Sequence, residues 1–314
     1  MSYIEYKGFS QIMKRYQLSD KEKLEKVLLE TGISRSELAR RLEVDYKTVY
    51  RWLDKEVKPH PAQAQDIDQL FKEYVDLREI VLQLQNKLKS PMHILKGNQV
   101  IREKFLLEMT YHSNAIEGSR MTVKETQRAF DGKQVRGKEM FEVLEVINHK
   151  NALQFLLENI RSGFKIDSNY IFQLHRTVMY NFNNKLPGKY RTGHVNLLNT
   201  EKALPSAQEV PLRMGKLIKN INNYGKDAIS KIARDHYEFE AIHPFFDGNG
   251  RVGRLIMITQ LLIKGFAPAI VQVEDRYKYY MALSKADFGN FENMVQVVCD
   301  SIVKGYRLLT GSIK

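Results

Sequence analysis

One stretch of the chain concentrates glycines and charged residues, the run HPFFDGNGRVGR from His243 to Arg254. Gly248, Asn249 and Gly250 predict a tight turn in which backbone N–H groups converge on an anion, because glycine adopts positive φ at little cost. The apolar run from Val252 to Ile263 predicts a helix directly after this turn, and a helix N-terminus favours bound phosphate. The spacing therefore predicts a site for the phosphates of a nucleoside triphosphate.

The charged side chains of this stretch suit the same ligand. Arg251 and Arg254 are three residues apart, so they lie on neighbouring positions of the first helical turn and can both grip phosphate oxygens. Asp247 precedes the turn, and one carboxylate with substrate phosphates is a common ligand set for Mg²⁺. Pro244 biases His243 toward an extended backbone, which places the imidazole at the edge of a loop. There it can take a proton from an attacking hydroxyl.

Two other phosphate-binding motifs are excluded by their context. Gly248, Gly250 and Gly253 spell G-x-G-x-x-G. A dinucleotide-binding fold, however, needs a buried strand before the first glycine, and here Pro244 and Asp247 stand in its place. A P-loop needs Lys-Ser or Lys-Thr after the glycines, and neither follows.

The same stretch resembles the signature of the Fic family, H-x-F-x-D/E-G-N-G-R-x-x-R, with every fixed position present. The resemblance covers about residues 100 to 300. It implies a mainly α fold, with an all-helical core that carries a small β-hairpin flap, and the transfer of AMP from ATP to a Ser, Thr or Tyr hydroxyl of a protein. It assigns the role of general base to His243 and that of Mg²⁺ ligand to Asp247. It assigns the phosphate-binding loop to Gly248 to Gly250, and the binding of the outer phosphates to Arg251 with Arg254.

A second motif, SNAIEG from Ser113 to Gly118, lies N-terminal to the signature. It resembles the inhibitory motif of the family, Ser/Thr-x-x-x-Glu-Gly/Asn. The resemblance implies that Glu117 pairs with Arg254 in the space of the ATP γ-phosphate, and that Ser113 steadies the helix. A carboxylate there would neutralise the arginine and repel an incoming phosphate. Without the family, Glu117 is an acid at a helix end before a glycine cap.

The stretch from Leu186 to Leu197 contains the strongest turn-and-strand pattern in the chain. It resembles the flap of the family, an edge hairpin that aligns a target segment by main-chain pairing. The resemblance implies that Val195 borders the nucleotide and that Tyr279 and Tyr280 lie where relatives place aromatic residues against adenine. The alternative for the two tyrosines is packing in the core.

The N-terminal segment, residues 1 to 60, predicts a small helical domain. Three short amphipathic helices are expected, with Ser34 and Asp45 as caps of the second and third. Their spacing resembles the helix-turn-helix of phage-type repressors, although Glu43 stands where that family usually has glycine. On the third helix, the residues expected to face a DNA major groove are Tyr46, Lys47, Thr48 and Arg51. The alternative is a helical module for protein interaction or dimerisation.

Residues 61 to 98 predict a linker and a long amphipathic helix before the catalytic domain at residues 99 to 314. Val57 to Ala64, with two prolines, indicates the linker. Beyond it, apolar residues recur three and four positions apart at Ile67, Leu70, Tyr74, Leu77, Val81, Leu84 and Leu88. This stripe predicts either a coiled-coil seam that makes a homodimer or one helix that lies on the catalytic domain.

Composition limits the class of protein. The 314 residues are 43% hydrophobic and 27% charged, which is typical of a soluble globular protein. The first 18 residues lack the apolar core of a signal peptide, and no apolar run is long enough to span a membrane. Cys299 is the single cysteine, which favours a reducing cytoplasm. Residues 1 to 62 hold 13 Lys/Arg against 10 Asp/Glu, so most of the net charge of +12 lies elsewhere.

These observations lead to three hypotheses. The first is a cytoplasmic, Mg²⁺-dependent protein adenylyltransferase, autoinhibited by Glu117, whose partners are ATP and a target protein, either another protein or itself. In the second, Glu117 activates water and removes AMP from a modified target. The third is a DNA-binding regulator whose catalytic domain senses or modifies its own helix-turn-helix. Because a phosphate site does not read the rest of the donor, transfer of UMP, phosphocholine or phosphate also stays open.

Overall fold

The computed structural model describes residues 18–161, 163–182, 187–195 and 203–311. The chain separates into two compact units. One runs to Ile80 and includes the last residues from Thr310, and the other runs from Val81 to Leu309. Within the described ranges the regular structure is helical, and none of these helices is long and apolar enough to cross a membrane.

The N-terminal unit contains the three short helices that the sequence predicts and a fourth. These are α1 (Asp20–Thr31), α2 (Arg35–Arg41), α3 (Tyr46–Asp54) and α4 (Pro61–Tyr74). α1 packs against α3 and α4, and α2 packs against α3. The fully buried side chains between them include Leu24, Val27, Leu38, Val49 and Ile67. Burial of these apolar side chains stabilises the N-terminal unit, whose small size allows only a small core.

The caps of this unit are only partly as predicted. The Ser34 hydroxyl accepts from the Glu37 N–H at 3.1 Å, as expected for an N-cap. Asp45 occupies the cap position of α3 but makes no side-chain hydrogen bond to it. Glu43, in the turn between α2 and α3, has φ 52°. The backbone there adopts the left-handed conformation that glycine provides in the related motif.

The prediction of one long helix after the linker was wrong. α4 begins at Pro61, so the irregular linker is shorter than expected, and a separate helix, α5, spans Arg78–Lys87. Between them Val75 is extended, with φ −106° and ψ 128°. The Asp76 carboxylate accepts from the Arg78 N–H at 2.9 Å, which starts a new helix. A continuous coiled-coil seam is therefore absent from this described segment, and a homodimer stays a prediction.

The remaining helices build the C-terminal unit. They are α6 (Pro91–Gly97), α7 (Gln99–Ile116), α8 (Val123–Phe130), α9 (Met140–Asn159), α10 (Ser168–Val178), α11 (Val210–Ile221), α12 (Ala228–Ile242), α13 (Asn249–Ile263), α14 (Arg276–Asp287) and α15 (Glu292–Leu309). A 3₁₀ turn, Val273–Asp275, precedes α14.

The centre of this unit is the hairpin of α12 and α13. α13 is buried continuously from Arg251 to Leu262. It packs against α12, α10, α9 and α7, while α12 also packs against α11 and α15. Two charged arginines therefore lie on a helix that is surrounded by other helices, and each needs a partner inside the protein.

The flap is described only in part. Residues 187–195 form turns and irregular backbone without a strand, and Gly188 has φ 73°. Leu186, Asn196 and Leu197, which complete the expected hairpin, lie outside the described residues. The β-hairpin flap therefore stays a prediction.

Candidate active site

The bend between α12 and α13 carries the residues of the signature. His243 follows the last residue of α12 with left-handed backbone angles, φ 49° and ψ 62°. Its N–H donates to the Phe239 carbonyl at 3.0 Å. The expected extended backbone was wrong, because hydrogen bonding at the helix end outweighs the bias from Pro244. The half-buried His243 still lies at the edge of the loop, as predicted.

The side chain of Asn249 closes this loop. Its Oδ1 accepts from the Phe245 N–H at 2.8 Å, and its Nδ2 donates to the Phe245 carbonyl at 2.9 Å. The side chain is buried. Any contact of Asn249 with phosphate must therefore come from its backbone N–H, while its carboxamide fixes the shape of the loop.

His175 of α10 supports the same loop and was not identified from the sequence. Its ring stacks on Phe245 at 3.7 Å between ring centroids, with the planes 7° apart. Its Nδ1 accepts from the Gly188 N–H at 2.8 Å, so the proton on Nε2 is donated to the Asp247 carbonyl, 3.1 Å away. Burial lowers the pKa of His175 to about 4, which keeps this imidazole neutral. No spacing in the sequence connects His175 to the signature.

The helix after the loop is confirmed, but it begins earlier than predicted. α13 starts at Asn249 instead of Val252, so only Gly248 has positive φ, at 75°. A Cβ on Gly248 would lie 2.9 Å from Sδ of Met179. The N–H groups of Asn249 and Gly250 belong to the first helical turn, which has no intrahelical acceptors for them. This end of the helix therefore suits an anion.

Arg251 lies in the first turn of α13 and is paired with two carboxylates. Its Nη1 donates to Glu145 Oε1 at 3.0 Å, and its Nη2 donates to Asp247 Oδ1 at 3.3 Å. Glu145, on α9, was missed by sequence reasoning. Burial raises the pKa of Glu145, although the charge of Arg251 opposes this shift. Arg251 is 4% exposed, so Glu145 limits the directions in which its guanidinium can point.

Arg254 lies one turn further along and contacts the second motif. Its Nη2 donates to Glu117 Oε1 at 2.7 Å, and its Nε donates to Ser113 Oγ at 3.0 Å. A second bond runs from Nη2 to the Ser113 carbonyl at 2.9 Å. Glu117 caps α7, and Gly118 follows with φ 101°. The structure thus brings together the three residues that the family resemblance links, and it shows Ser113 bound to the arginine itself.

Gly250 allows the Glu117 carboxylate to approach α13. A Cβ on Gly250 would lie 2.3 Å from Glu117 Oε1 and 3.1 Å from Arg254 Nη1. Any side chain at this position would therefore displace the carboxylate or the helix. An anionic group already lies at the N-terminal end of α13, against the arginine that is expected to bind an outer phosphate.

The electrostatic surroundings of His243 suit a base. Burial lowers its pKa, so the neutral imidazole is favoured at neutral pH. Arg191, which was not singled out from the sequence, fixes its backbone: Nε donates to the His243 carbonyl at 2.8 Å. The same guanidinium donates to the carbonyls of Gly193 and Pro205, at 3.0 and 2.5 Å. Arg191 therefore ties Gly193 and Pro205 to the loop that carries His243.

Asp247 is the candidate ligand for a divalent cation. Its side chain is 66% exposed, and its Oδ1 accepts from the Gly248 N–H at 2.5 Å. Among the residues with described positions, no group of three or more His, Cys, Asp or Glu could hold a metal ion. A lone exposed carboxylate fits Mg²⁺ only where bound phosphates complete the ligand set.

The sequence of this unit matches a family model. Residues 165–261, which include α10, α11, α12 and most of α13, match the Fic/DOC family. The chain contains a Fic domain. Its signature lies on the loop and helix N-terminus described above, and Glu117 and Glu145 reach it from helices outside the matched range.

Curated relatives extend the likeness beyond the Fic domain model. The protein adenylyltransferase fic-1 of Caenorhabditis briggsae is 31% identical over 238 residues, which are 74% of this chain and 46% of that protein. The protein adenylyltransferase Fic of Nematostella vectensis is 31% identical over 220 residues, 66% of this chain and 49% of that protein. The chain spans about half the length of these curated relatives.

Solved structures show that the fold is that of Fic proteins. A fragment of Fic-1 from C. elegans superposes with a TM-score of 0.67 at 24% identity, covering 97% of this chain and 91% of that one. A Fic domain containing signaling protein from Bacteroides thetaiotaomicron superposes with a TM-score of 0.64 at 20% identity, covering 75% of this chain and 97% of that one. The predicted mainly α fold with an all-helical Fic core is confirmed.

The residues expected around the adenine occupy different surroundings in this Fic domain. Tyr279 is 1% exposed, and its hydroxyl is 2.8 Å from His236 Nε2, which favours packing in the core. Tyr280 is half-buried, and its hydroxyl donates to the Ile116 carbonyl at 3.3 Å. Val195 is half-buried beside residues that are not described. Nucleotide contacts from Tyr280 and Val195 stay predictions.

The N-terminal unit has its own match. Residues 13–58 match the CENP-B N-terminal DNA-binding domain. On α3, Tyr46, Lys47 and Arg51 are exposed as predicted, whereas Thr48 is only half-exposed. Tyr50, which sequence reasoning did not select, is 40% exposed on the same helix.

Proposed function

We propose that the chain is a Mg²⁺-dependent protein adenylyltransferase that moves AMP from ATP to a Ser, Thr or Tyr hydroxyl and is autoinhibited by Glu117. The observation that carries the proposal is the 2.7 Å contact of Glu117 with Arg254 at the N-terminal end of α13. We expect the outer phosphate of a bound triphosphate to occupy the place of this carboxylate. The relatives named protein adenylyltransferase support AMP as the transferred group.

The residues of the signature have separate roles in the proposed reaction. His243 Nε2 takes the proton of the target hydroxyl as its oxygen forms a bond to the α-phosphorus. The bond from that phosphorus to the bridging oxygen breaks, and pyrophosphate leaves with the electron pair. The N–H groups at the start of α13, with Arg251 and Arg254, stabilise the charge on the phosphates. Magnesium held by Asp247 and the phosphates would neutralise part of the same charge.

The test uses the full chain with Mg²⁺ and ATP labelled on either the α- or the γ-phosphate. We expect label from α-labelled ATP on protein, either a supplied target or the chain itself, after Glu117 is replaced. No label is expected from γ-labelled ATP. Transfer of the γ label instead would show a kinase and would contradict the proposed reaction. If neither the α nor the γ label reaches protein with any substrate tried, ATP is contradicted as the donor.

The rate of transfer is expected to fall only in acid, below the ordinary histidine pKa of about 6.5. Burial lowers the pKa of His243, and the negative charge of Glu117 opposes that shift. A Glu117→Gly variant, which lacks this opposing charge, should therefore keep its imidazole neutral to a still lower pH. Initial rates between about pH 5 and pH 8, with ATP binding measured separately at each pH, check this. A midpoint above the ordinary value would contradict the role of His243 as a buried base.

We also propose that the N-terminal unit binds DNA through α3. The match to the CENP-B N-terminal DNA-binding domain supports this, together with the exposure of Lys47 and Arg51. Cations at these positions can contact phosphates on either side of a major groove. The catalytic site offers no such support for DNA, so the two functions stand on separate observations.

Replacing Lys47 and Arg51 by alanine is expected to weaken DNA binding and flatten its salt dependence. Each lost phosphate contact should reduce the slope of log affinity against log salt by about 1. The measurement is fluorescence anisotropy of a random-sequence duplex with the full chain at several salt concentrations. Lys124→Ala, which removes an exposed cation of α8 in the other unit, is the matched control. Equal slopes for the control and the double variant would contradict the interface.

A further inference from the structure

Arg254 needs a negative partner throughout the proposed reaction cycle. Its side chain is 2% exposed, and its ion-pair partner among the described residues is Glu117. A nucleotide can take the place of Glu117 only after that carboxylate has moved away. A buried arginine without a countercharge is strongly destabilised. After Glu117 has left and before phosphate binds, Arg254 therefore needs a second acid as its partner.

Glu240 on α12 is the side chain placed to be this second acid. Its Oε1 is buried and has no hydrogen-bond partner among the described residues. A Cβ on Gly253, the residue before Arg254, would lie 2.3 Å from this oxygen. Nη1 of Arg254 is likewise buried without a hydrogen-bond acceptor in the described part of the chain. An unsatisfied acceptor and an unsatisfied donor thus lie on the same side of α13.

The two glycines of α13 face the two acids. Gly250 adjoins Glu117 Oε1 and Gly253 adjoins Glu240 Oε1, each at 2.3 Å from the position of a Cβ. The two carboxyl groups therefore approach the first turns of α13 next to Arg254. Glu117 bonds to the guanidinium, whereas Oε1 of Glu240 has no hydrogen-bond partner among the described residues.

The charge state of Glu240 depends on its neighbours. Burial raises its pKa to about 8; Arg254 opposes the shift and Glu117 adds to it. Glu240 is therefore mainly neutral at pH 7 while Glu117 is in place, and withdrawal of Glu117 favours its ionised form. His236 on α12 and Tyr279 on α14 adjoin Arg254, but burial lowers the pKa of His236 to about 3 and raises that of Tyr279. Neither carries charge at pH 7.

We propose that Glu240 is a positioning residue that ionises and becomes the carboxylate partner of Arg254 when Glu117 withdraws. It keeps the guanidinium paired and in place until phosphate arrives. The exchange moves one proton from Glu240 to solvent as the charge of Glu117 leaves the pocket. Only the arrival of phosphate rests on the proposed function, because the pairing of Arg254 follows from its burial alone.

A double-mutant cycle tests this exchange. Glutamine resembles a neutral glutamic acid in size and hydrogen bonding, so Glu240→Gln should lower the melting temperature at pH 7 only slightly. Glu117→Gln should also have a small effect, because Glu240 takes over. With both changes Arg254 has no countercharge, and the loss should exceed the sum of the single losses by about 5 to 10 °C.

A second pair of variants controls for general damage to the site. Glu145→Gln alters an acid that pairs with Arg251 instead. When it is combined with Glu117→Gln, the losses of melting temperature from the two single variants should add. A Glu117/Glu240 double variant that does not fold, while this control pair folds, has the same meaning as a large excess loss. Additive losses in the Glu117/Glu240 cycle would overturn the proposal.

Infrared spectroscopy follows the proton directly. Wild type at pH 7 should show the C=O stretch of a protonated carboxyl that is missing from Glu240→Gln. In Glu117→Gln this band should be lost at pH 7 and return at lower pH. A band that persists unchanged at pH 7 would overturn the proposal. Neither measurement uses ATP, so a failure of the proposed AMP transfer would leave this result intact.

Discussion

Replacing Glu117 by glycine is expected to raise AMP transfer by about 10- to 100-fold. The carboxylate now holds Nη2 of Arg254 at 2.7 Å, and its removal frees a charged hydrogen-bond donor for phosphate. It also removes a negative charge from the site where the triphosphate must bind. The measurement is the initial rate of protein labelling from α-labelled ATP with Mg²⁺. Glu117→Gln, which keeps the size of the side chain without its charge, should give an intermediate rate.

Adding His243→Ala to Glu117→Gly should lower the rate again, by about 10²- to 10⁴-fold, the usual contribution of a positioned base. ATP affinity should change little, because the imidazole acts on the target hydroxyl and the phosphates are held by α13. A rate that stays high in the double variant would remove His243 from the mechanism. Equal labelling by wild type, Glu117→Gly and the double variant would contradict both autoinhibition and the base.

The signature could be located from sequence because its chemistry is contiguous. His243, Asp247 and the two arginines are separated by a few residues, so a loop followed by a helix brings them together without knowledge of the fold. The exact start of α13 was less predictable. Within the turn from Gly248 to Gly250, Gly248 alone has positive φ, and the helix then begins at once with Asn249, whose side chain bonds back to Phe245.

The partners of these residues could not be found in the same way. Glu145, His175, Arg191 and Glu240 have no motif, and the first three reach the signature from sequence-distant segments. Their roles depend on burial: a buried charge must be paired, and only the packing of α9 and α10 against α13 decides which side chain supplies the partner. Glu117 was predictable only because its own motif resembles that of the family.

The break between α4 and α5 shows the limit of periodicity. The apolar stripe continues through it without a change of spacing, and Ile67 and Val81 are both fully buried. Periodicity records which side of a segment is buried, but it does not record whether the backbone stays helical. The competing signal was Asp76, whose carboxylate caps the next helix at Arg78.

The second large effect is expected from Gly250→Ala in a protein that already carries Glu117→Gly. In this structure the space that a Cβ would fill contains Glu117 Oε1, at 2.3 Å, and borders Arg254 Nη1. An outer phosphate that replaces the carboxylate must bring an oxygen into the same space. The added methyl group should therefore weaken ATP binding by about 10- to 100-fold, equal to the cost of an overpacked contact.

The measurement is the affinity for ATP with Mg²⁺ by titration calorimetry, which needs no target protein. Gly215→Ala in the same background is the matched control, because Gly215 lies in α11 with no atom within 4 Å of its Cβ position. Alanine favours a helix over glycine by about 1 kcal/mol at either site, so a lower affinity confined to Gly250→Ala cannot come from a weaker helix. An unchanged affinity in Gly250→Ala would mean that phosphate does not replace the Glu117 carboxylate at α13, and the competition between the two anions would then fail as the basis of inhibition.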